Sequence, residues 1–288
     1  MLTSLLRVLL LLAVVYVTVA ALAWKYQNRL AFPAPKYAEL PAPSVAAGIV
    51  DGRMVTVLTE DSVQLRGWYL PPSPAPRRRA RAPGLIWFYG NMETLRAIGP
   101  IIRDFRPPGT ALLALDYRGY GASGGAPTET GVYLDAEAAW DFLTRQPEVD
   151  PNRIAVYGRS VGGVPALYLA AGRPVRAVIL DSPFTSARDM RQQHYRWLPP
   201  FIIRLSLDNL SRARSLTAPL LVVHGTDDRV APFAMGRAIA EAGRGELIRI
   251  EGAGHNDTYD MGGDLYRRKV HEFLAATVGD EGRGKRDE

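Results

Sequence analysis

The sequence contains no cysteine and has four histidines among its 288 residues. Disulfide bonds, thiolate metal sites and a cysteine nucleophile are therefore excluded, and cysteine usage leaves the redox compartment open. Any chemistry that depends on an imidazole must use one of those four side chains. Neither sign of charge dominates, because 35 lysines and arginines stand against 29 aspartates and glutamates.

The net charge of +6 does not indicate a nucleic-acid partner, because many of the arginines are dispersed along the chain. The dense basic run at residues 77–81 lies in a proline-rich stretch that predicts an exposed loop. Facing a bilayer, such a loop would attract anionic lipid headgroups. We expect no nucleic-acid partner.

The length and the hydrophobic content of 47% suit one large α/β domain with an appendage. The appendage is an apolar run, residues 8–24, that is long enough to span a membrane. A cleavable signal peptide is the alternative, since Ala21-Leu22-Ala23 resembles a cleavage site, but signal sequences usually have apolar runs of about 7–15 residues. We therefore expect residues 1–25 to form an uncleaved single-pass anchor. Positive charges flank both ends of the run, which leaves the side of the membrane open.

A predicted linker at residues 26–50 leads into a predicted α/β domain at residues 51–278. Alternation at 53–59 and 63–70 indicates an antiparallel hairpin. Short apolar runs then recur at intervals that leave room for helices, at 85–89, 111–115, 154–157, 177–180, 220–223 and 247–250. This order predicts a mostly parallel central sheet with helices on both faces.

Three further segments complete the predicted domain. Residues 130–145 and 264–277 predict helices, and residues 187–216 interrupt the rhythm of the sheet. We expect the interruption to form a small cap over the carboxyl ends of the strands. Residues 279–288 are charged and predict a disordered tail.

The strongest local signal is Gly158-Arg159-Ser160-Val161-Gly162, between an apolar strand and a helix-like segment. A Gly-x-Ser-x-Gly turn in that context presents a serine in a strained, exposed position, and the glycines avoid the clash of Cβ atoms there. We interpret Ser160 as a nucleophile. A Gly-Ser loop that merely caps a helix is the alternative.

A serine nucleophile needs an imidazole base. His255 lies in a glycine-rich loop after the last predicted strand, where the carboxyl ends of the strands converge, so it is the preferred candidate. His194 falls in the predicted cap, His271 in the last helix, and His224 at a strand end where we expect it to pack.

The acid that orients the base should lie between the serine and the histidine in the chain. Asp228 is the preferred acid, with its neighbour Asp227 expected to cap a turn or the following helix. Asp181 also follows a predicted strand and is a third candidate, less favoured because it lies further from the histidine in the chain.

An oxyanion formed on the substrate needs hydrogen-bond donors. The backbone N–H of Val161, directly after the nucleophile, is one expected donor. The loop after the strand at 85–89 supplies the second, which we assign to Asn91 with Met92 as the fallback. The Asn91 side chain is equally suited to forming a turn.

Taken together, these motifs resemble the α/β-hydrolase superfamily, and the resemblance spans residue 26 to about 277. The supporting segments are 26–33, Tyr89-Gly90-Asn91, 116–124, 158–163, 181–186, 224–232 and Gly254-His255. The chain is similar to membrane-anchored abhydrolase-domain proteins that include protein depalmitoylases, and to serine aminopeptidase domains. In these relatives the acid lies four residues after a His-Gly histidine, which matches Asp228. They usually have His-Gly-Asn at the oxyanion loop, where this chain has Tyr89.

The resemblance and the residues together predict a serine hydrolase that cleaves carboxylic esters or thioesters through an acyl-enzyme. This chemistry requires no cofactor and no metal. The expected partners are the acyl substrate and the lipid bilayer, and the oligomeric state stays open. A serine peptidase of the aminopeptidase type is the enzymatic alternative, and a non-catalytic, membrane-tethered scaffold with a hydrolase fold is the other.

Overall fold

The structure is a computed structural model that describes residues 2–76 and 80–279. Residues 77–79 of the predicted basic loop and residues 280–288 of the predicted tail lie outside the described residues. In the described ranges, the strands are β1 Arg53–Leu58, β2 Gln64–Leu70, β3 Ala82–Phe88, β4 Ala111–Leu115, β5 Val149–Arg159, β6 Ala177–Asp181, β7 Leu220–Gly225 and β8 Glu246–Ile250.

Within the same ranges, the helices are α1 Leu2–Ala31, α2 Pro43–Ala47, α3 Leu95–Phe105, α4 Glu129–Thr144, α5 Gly163–Gly172, α6 Ala187–His194, α7 Asn209–Arg214, α8 Phe233–Ala242 and α9 Thr258–Val278. Short 3-10 turns occupy Ser160–Gly162 and Pro200–Ile202. Helix α9 begins earlier than the expected residue 264, and its backbone is broken at Gly263, where φ is 47°.

All eight strands form one sheet in the order β1-β2-β4-β3-β5-β6-β7-β8. Strand β2 is antiparallel to both β1 and β4, and the remaining neighbours are parallel. Strands β4, β6 and β7 are buried along their whole length, as expected for parallel strands covered on both faces. The predicted α/β architecture is confirmed, and the carboxyl ends of the parallel strands meet at one edge.

Helices cover both faces of this sheet. Helices α4, α5, α7 and α8 pack in series on one face, while α3 and α9 pack together on the other. Helix α7 therefore belongs to a helical layer, although it lies inside the stretch 187–216 expected to form a cap. The part of that stretch outside the layer is α6 and the turn at Pro200–Ile202.

A buried ion pair joins α4 to the turn after β4. Nε of Arg118 lies 2.8 Å from Oδ1 of Asp135, and both side chains are almost completely buried. The same guanidinium reaches Asp61, in the hairpin loop, at 2.7 Å. Burial raises the pKa of Asp135 to about 6, with the Arg118 hydrogen bonds and charge acting in the opposite direction.

Helix α1 continues past residue 25 to Ala31, so the stretch 26–50 expected to be a linker contains the end of α1 and the short helix α2. Most of α1 is exposed, and within the described residues it is the one helix long and apolar enough to cross a membrane. Its contacts with the domain involve the turn at Pro200–Ile202. The helix is therefore docked on the cap region.

Candidate active site

The central strand β5 ends in the turn that carries Ser160. This serine has a φ of 50°, in the left-handed region that ordinary residues avoid. A Cβ on Gly158 would lie 2.5 Å from the carbonyl oxygen of Gly162, and a Cβ on Gly162 would lie 2.3 Å from that of Phe88. Only glycine fits at these two positions, so the close packing of strand, turn and helix requires the motif. Val161 follows Ser160 and is buried.

The structure brings Ser160, His255 and Asp228 together at the carboxyl edge of the sheet. Nε2 of His255 lies 2.9 Å from Oγ of Ser160. Nδ1 of the same ring lies 2.7 Å from Oδ2 of Asp228. Because an ionised carboxylate can only accept, Nδ1–H donates to Asp228, and Nε2 is left to accept the proton of Oγ–H. The unprotonated nitrogen of the imidazole is thus directed at the serine hydroxyl.

Four donors surround the carboxylate of Asp228. Oδ1 accepts the backbone N–H groups of Val230 and Ala231, both at 2.8 Å. Oδ2 accepts from His255 and lies 3.1 Å from Nε2 of His224. Burial alone would raise the pKa of Asp228, but the hydrogen bonds from His224 and His255 outweigh it and hold the pKa well below its ordinary value. The acid is therefore ionised beside its histidine.

His224 was expected to pack at the end of a strand, and it does so with no exposed surface. It also has a polar contact that the sequence analysis missed. Its Nε2 lies 2.7 Å from the carbonyl oxygen of Ala231 as well as 3.1 Å from Asp228. The spacing of four residues between His224 and Asp228 was the available signal, because His224 lies near the end of β7 and Asp228 follows that strand.

The loop after β3, expected to supply an oxyanion donor, is held by the side chain of Asn91. Its Nδ2 donates to the carbonyl oxygen of Ala31 at 2.9 Å, and its Oδ1 accepts the hydroxyl of Tyr120 at 2.7 Å. The next residue, Met92, has a φ of 62° and is exposed. The side chain of Asn91 is therefore structural, which leaves its backbone N–H as the candidate donor.

Tyr89, directly before Gly90 and Asn91, is fully buried. Its hydroxyl donates to Oδ1 of Asp116 at 2.9 Å, and its carbonyl oxygen accepts the hydroxyl of Tyr117 at 2.8 Å. The same Asp116 accepts the hydroxyl of Tyr37 and, at 3.2 Å, the backbone N–H of Leu95. Burial raises the pKa of Tyr89 far above its usual value, so the hydroxyl stays a donor. A buried polar network thus fixes the start of the loop.

Arg159 and Glu93 form a second contact that the sequence analysis missed. The Arg159 guanidinium pairs with Glu93 and donates to the carbonyl oxygen of His255 at 2.9 Å and to Oδ1 of Asn256 at 3.0 Å. Glu93 in turn accepts the backbone N–H of Gly90 at 2.6 Å, so that N–H is occupied. Burial raises the pKa of Glu93, against the lowering effect of Arg159. Arg159 therefore connects the loop after β3, named here the oxyanion loop, to the loop that carries His255 and Asn256, named here the histidine loop.

The other candidate residues make no hydrogen bond to Ser160, His255 or Asp228. Asp181 accepts the hydroxyls of Tyr157 and Thr258 and lies 3.7 Å from Nε of Arg159, and Asp227 is exposed. His194, at the end of α6, is bonded through Nε2 to the carbonyl oxygen of Val230 at 2.7 Å, and His271 lies in α9. Across the described ranges, no three acidic or histidine side chains are grouped as metal ligands would be.

Comparison with known proteins places this chain in a family. Residues 84–210 match the family model described as serine aminopeptidase, S33. The chain is 35% identical over 279 residues to the uncharacterized protein Rv2307c of Mycobacterium tuberculosis, an alignment that covers 95% of this chain and 96% of that protein. It is 39% identical over 166 residues to human alpha/beta hydrolase domain-containing protein 17B, covering 57% of this chain and 56% of that protein.

Among solved structures, the esterase Pf2001 of Pyrococcus furiosus has the same fold, with a TM-score of 0.70 and 22% identity over 85% of this chain and 98% of that one. The chain belongs to the α/β-hydrolase superfamily, as the motifs predicted. It is a hydrolase-fold protein that resembles the serine aminopeptidase model in sequence and the esterase Pf2001 in fold.

Proposed function

We propose that this protein is a membrane-anchored serine hydrolase that cleaves carboxylic esters or thioesters. The observation that carries the proposal is the hydrogen-bonded chain from Ser160 through His255 to Asp228 at the carboxyl edge of the sheet. Ser160 has the strained backbone of a nucleophile elbow, and Asp228 is held ionised beside His255, as acyl transfer by such a group of residues needs.

In this mechanism, Oγ of Ser160 attacks the acyl carbonyl carbon while Nε2 of His255 takes its proton. Asp228 keeps His255 in the tautomer that has its proton on Nδ1, and it stabilises the imidazolium that forms. Backbone N–H groups of Val161 and Asn91 stabilise the oxyanion. The tetrahedral intermediate collapses to an acyl-enzyme, and His255 returns its proton to the departing alcohol or thiol. Water, deprotonated by His255, then releases the acid, and these steps call on no metal or cofactor.

The contacts of α1 favour an uncleaved anchor over a signal peptide. Cleavage after Ala23 would remove Tyr16, which donates to the carbonyl oxygen of Trp197 at 2.9 Å, and Ala20, which is buried against the cap region. A segment destined for removal has no need of such contacts.

A fluorophosphonate probe tests the proposed nucleophile. The detergent-solubilised protein should be labelled, and Ser160→Ala should not. Both proteins are then assayed on p-nitrophenyl esters and thioesters of short and long acyl chains. If acyl chains are delivered from the membrane, we expect rates to depend on acyl length and on the presence of α1. Rates that respond to neither would contradict delivery from the membrane while leaving the esterase proposal intact.

Peptide hydrolysis is a second candidate, because residues 84–210 match the serine aminopeptidase model. Aminoacyl p-nitroanilides assayed beside the esters decide between the two activities. Turnover of the anilides at rates comparable to the esters would favour the peptidase. A folded wild-type protein that is not labelled at all would instead favour a non-catalytic scaffold, with Tyr89→His as the first variant to make.

A further inference from the structure

We infer that residues 195–205, named here the aromatic loop, are immersed in the membrane beside α1 and form a second membrane-binding element. The inference rests on the proposed anchoring by α1 and goes beyond it, because it assigns a lipid-facing surface to the hydrolase domain itself. It is independent of the reaction that Ser160 performs.

The aromatic loop is packed along α1 over a long stretch of that helix. The hydroxyl of Tyr16 donates to the carbonyl oxygen of Trp197 at 2.9 Å, and the two rings meet edge to face with centroids 6.2 Å apart. One turn further along, Ala20 is buried against Leu198 and Ile202 in a small apolar cluster of its own. The middle of α1 is therefore in direct contact with the loop.

The same packing continues to the end of the apolar run. The guanidinium of Arg204 stacks over the ring of Trp24 at 4.3 Å from its centroid. The side-chain oxygen of the buried Gln27 accepts the backbone N–H groups of Arg204 at 2.8 Å and Leu205 at 3.2 Å. These hydrogen bonds fix the register of the loop along the helix, so the depth of one determines the depth of the other.

That register places the loop below the membrane surface. At 1.5 Å per residue, the apolar run 8–24 is about 25 Å long, slightly shorter than the roughly 30 Å of a hydrocarbon core. The whole run is therefore needed to span, which sets Trp24 at the near boundary. Tyr16 then lies about 12 Å deeper along the helix, and the Trp197 carbonyl bonded to it lies at a similar depth. Membrane-embedded interfacial elements typically reach about 5–10 Å, so the loop is at or just beyond that range.

The side chains of the loop suit that position. Phe201 is 77% exposed, Tyr195 52% and Trp197 51%, a concentration of large exposed aromatic groups in a short segment. Aromatic side chains of this kind are enriched at membrane interfaces, and arginines such as Arg196 and Arg204 can direct their charge toward the headgroups. In water the same surface would be an unfavourable apolar patch.

Immersion of the aromatic loop also sets the position of the carboxyl edge of the sheet relative to the membrane. The loop follows α6 directly, and His194 at the end of α6 bonds the carbonyl oxygen of Val230, two residues after Asp228. A membrane-embedded loop therefore holds the carboxyl edge of the sheet close to the bilayer surface, where acyl chains of lipids or lipidated molecules are within reach.

The absence of cysteine makes a site-specific depth measurement direct. Phe201→Cys, Leu11→Cys and Gly172→Cys are each made in the full chain, labelled with an environment-sensitive fluorophore and reconstituted in phosphatidylcholine vesicles. Leu11 reports on α1. Gly172, at the far end of α5, is the matched control, because a Cβ there meets no atom within 4 Å and the position lies at the opposite edge of the sheet. Tyr195→Cys serves as a second reporter of the loop.

Quenching by shallow nitroxide lipids, deep nitroxide lipids and aqueous iodide then gives the depth of each probe. We expect nitroxide lipids to quench the Leu11, Phe201 and Tyr195 probes, and iodide to quench the Gly172 probe. If Leu11 is quenched by lipid while Phe201 and Tyr195 respond like Gly172, the anchor stands and the immersed loop is refuted. If iodide quenches Leu11 as well, both the anchor and the loop are refuted.

Discussion

Replacing Arg159 with methionine tests whether one side chain keeps two loops of the active site in register. Its guanidinium pairs with Glu93 in the oxyanion loop and donates to His255 and Asn256 in the histidine loop. Glu93 in turn accepts the N–H of Gly90 at 2.6 Å. Methionine keeps much of the side-chain volume but removes every one of the guanidinium bonds, so the two loops lose their common partner.

The expected loss follows from the strength of these bonds and the precision that acyl transfer needs. The Arg159 and Glu93 side chains are 12% and 21% exposed, so screening by water is limited. Hydrogen bonds to charged groups contribute about 1.5–3 kcal/mol each. A misplacement of about 1 Å in a reacting group costs on the order of 100-fold in rate. We therefore expect kcat/KM to fall about 100-fold, equivalent to about 2.7 kcal/mol of transition-state stabilisation.

Arg159→Lys is the matched control. It keeps the positive charge opposite Glu93, but one ammonium group cannot reach acceptors in both loops, so we expect an intermediate loss of about tenfold. The assay measures kcat and KM on an activated ester, with active sites counted by fluorophosphonate titration so that misfolded protein is ignored. The loss of activity should appear in kcat, because the Arg159 guanidinium affects the reaction by positioning the two loops. A methionine variant with kcat within about threefold of the wild type would refute the reasoning.

Buried carboxylates give three further predictions. Asp228→Asn removes the charge that holds the tautomer of the base, so kcat on esters should fall about 10⁴-fold; a variant with a tenth of wild-type activity would contradict that role. The pKa of Asp228 in the folded protein lies below its unfolded value of about 3.9, so ionisation of Asp228 stabilises the fold above about pH 4. This contribution is lost as the pH falls through the folded pKa. Urea unfolding measured as a function of pH should show the loss in the wild type and not in Asp228→Asn. Asp135→Ala removes one of the two carboxylates that pair with the buried Arg118 and leaves the backbone N–H of Arg118 without its acceptor, so urea denaturation should show about 2 kcal/mol less stability. Asp141→Ala, which removes the exposed pair with Arg145, is the control and should cost less than about 1 kcal/mol.

The predictable parts of the fold are those with local causes. Parallel strands buried on both faces must be continuous apolar runs, so the runs at 111–115 and 177–180 located β4 and β6 to within a residue. Two boundaries differ from the prediction. A short helical segment before the break at Gly263 makes α9 start early, and α1 runs past the apolar segment because its polar end is held by the domain.

The candidate site likewise has parts that the local sequence predicts and parts that depend on tertiary contacts. The elbow at Ser160 is required by sterics within a few residues, and the order of serine, acid and histidine along the chain led to Asp228 and His255, which the structure places in one hydrogen-bonded chain. Their catalytic role stays a prediction. The sequence showed an arginine inside the elbow motif, but it did not indicate that Arg159 pairs with Glu93, since the two residues come from separate loops.

By itself, the sequence determined the α/β class, the elbow and the presence of a long apolar helix, because each depends on periodicity or on backbone sterics within one segment. Only the tertiary structure decided how that helix meets the domain. Tyr16 contacts Trp197, and Gln27 bonds the backbone of Arg204 and Leu205, across most of the length of the chain. Such contacts are set by how the cap region packs once the sheet has formed, and no local pattern specifies the partner of a side chain that far away.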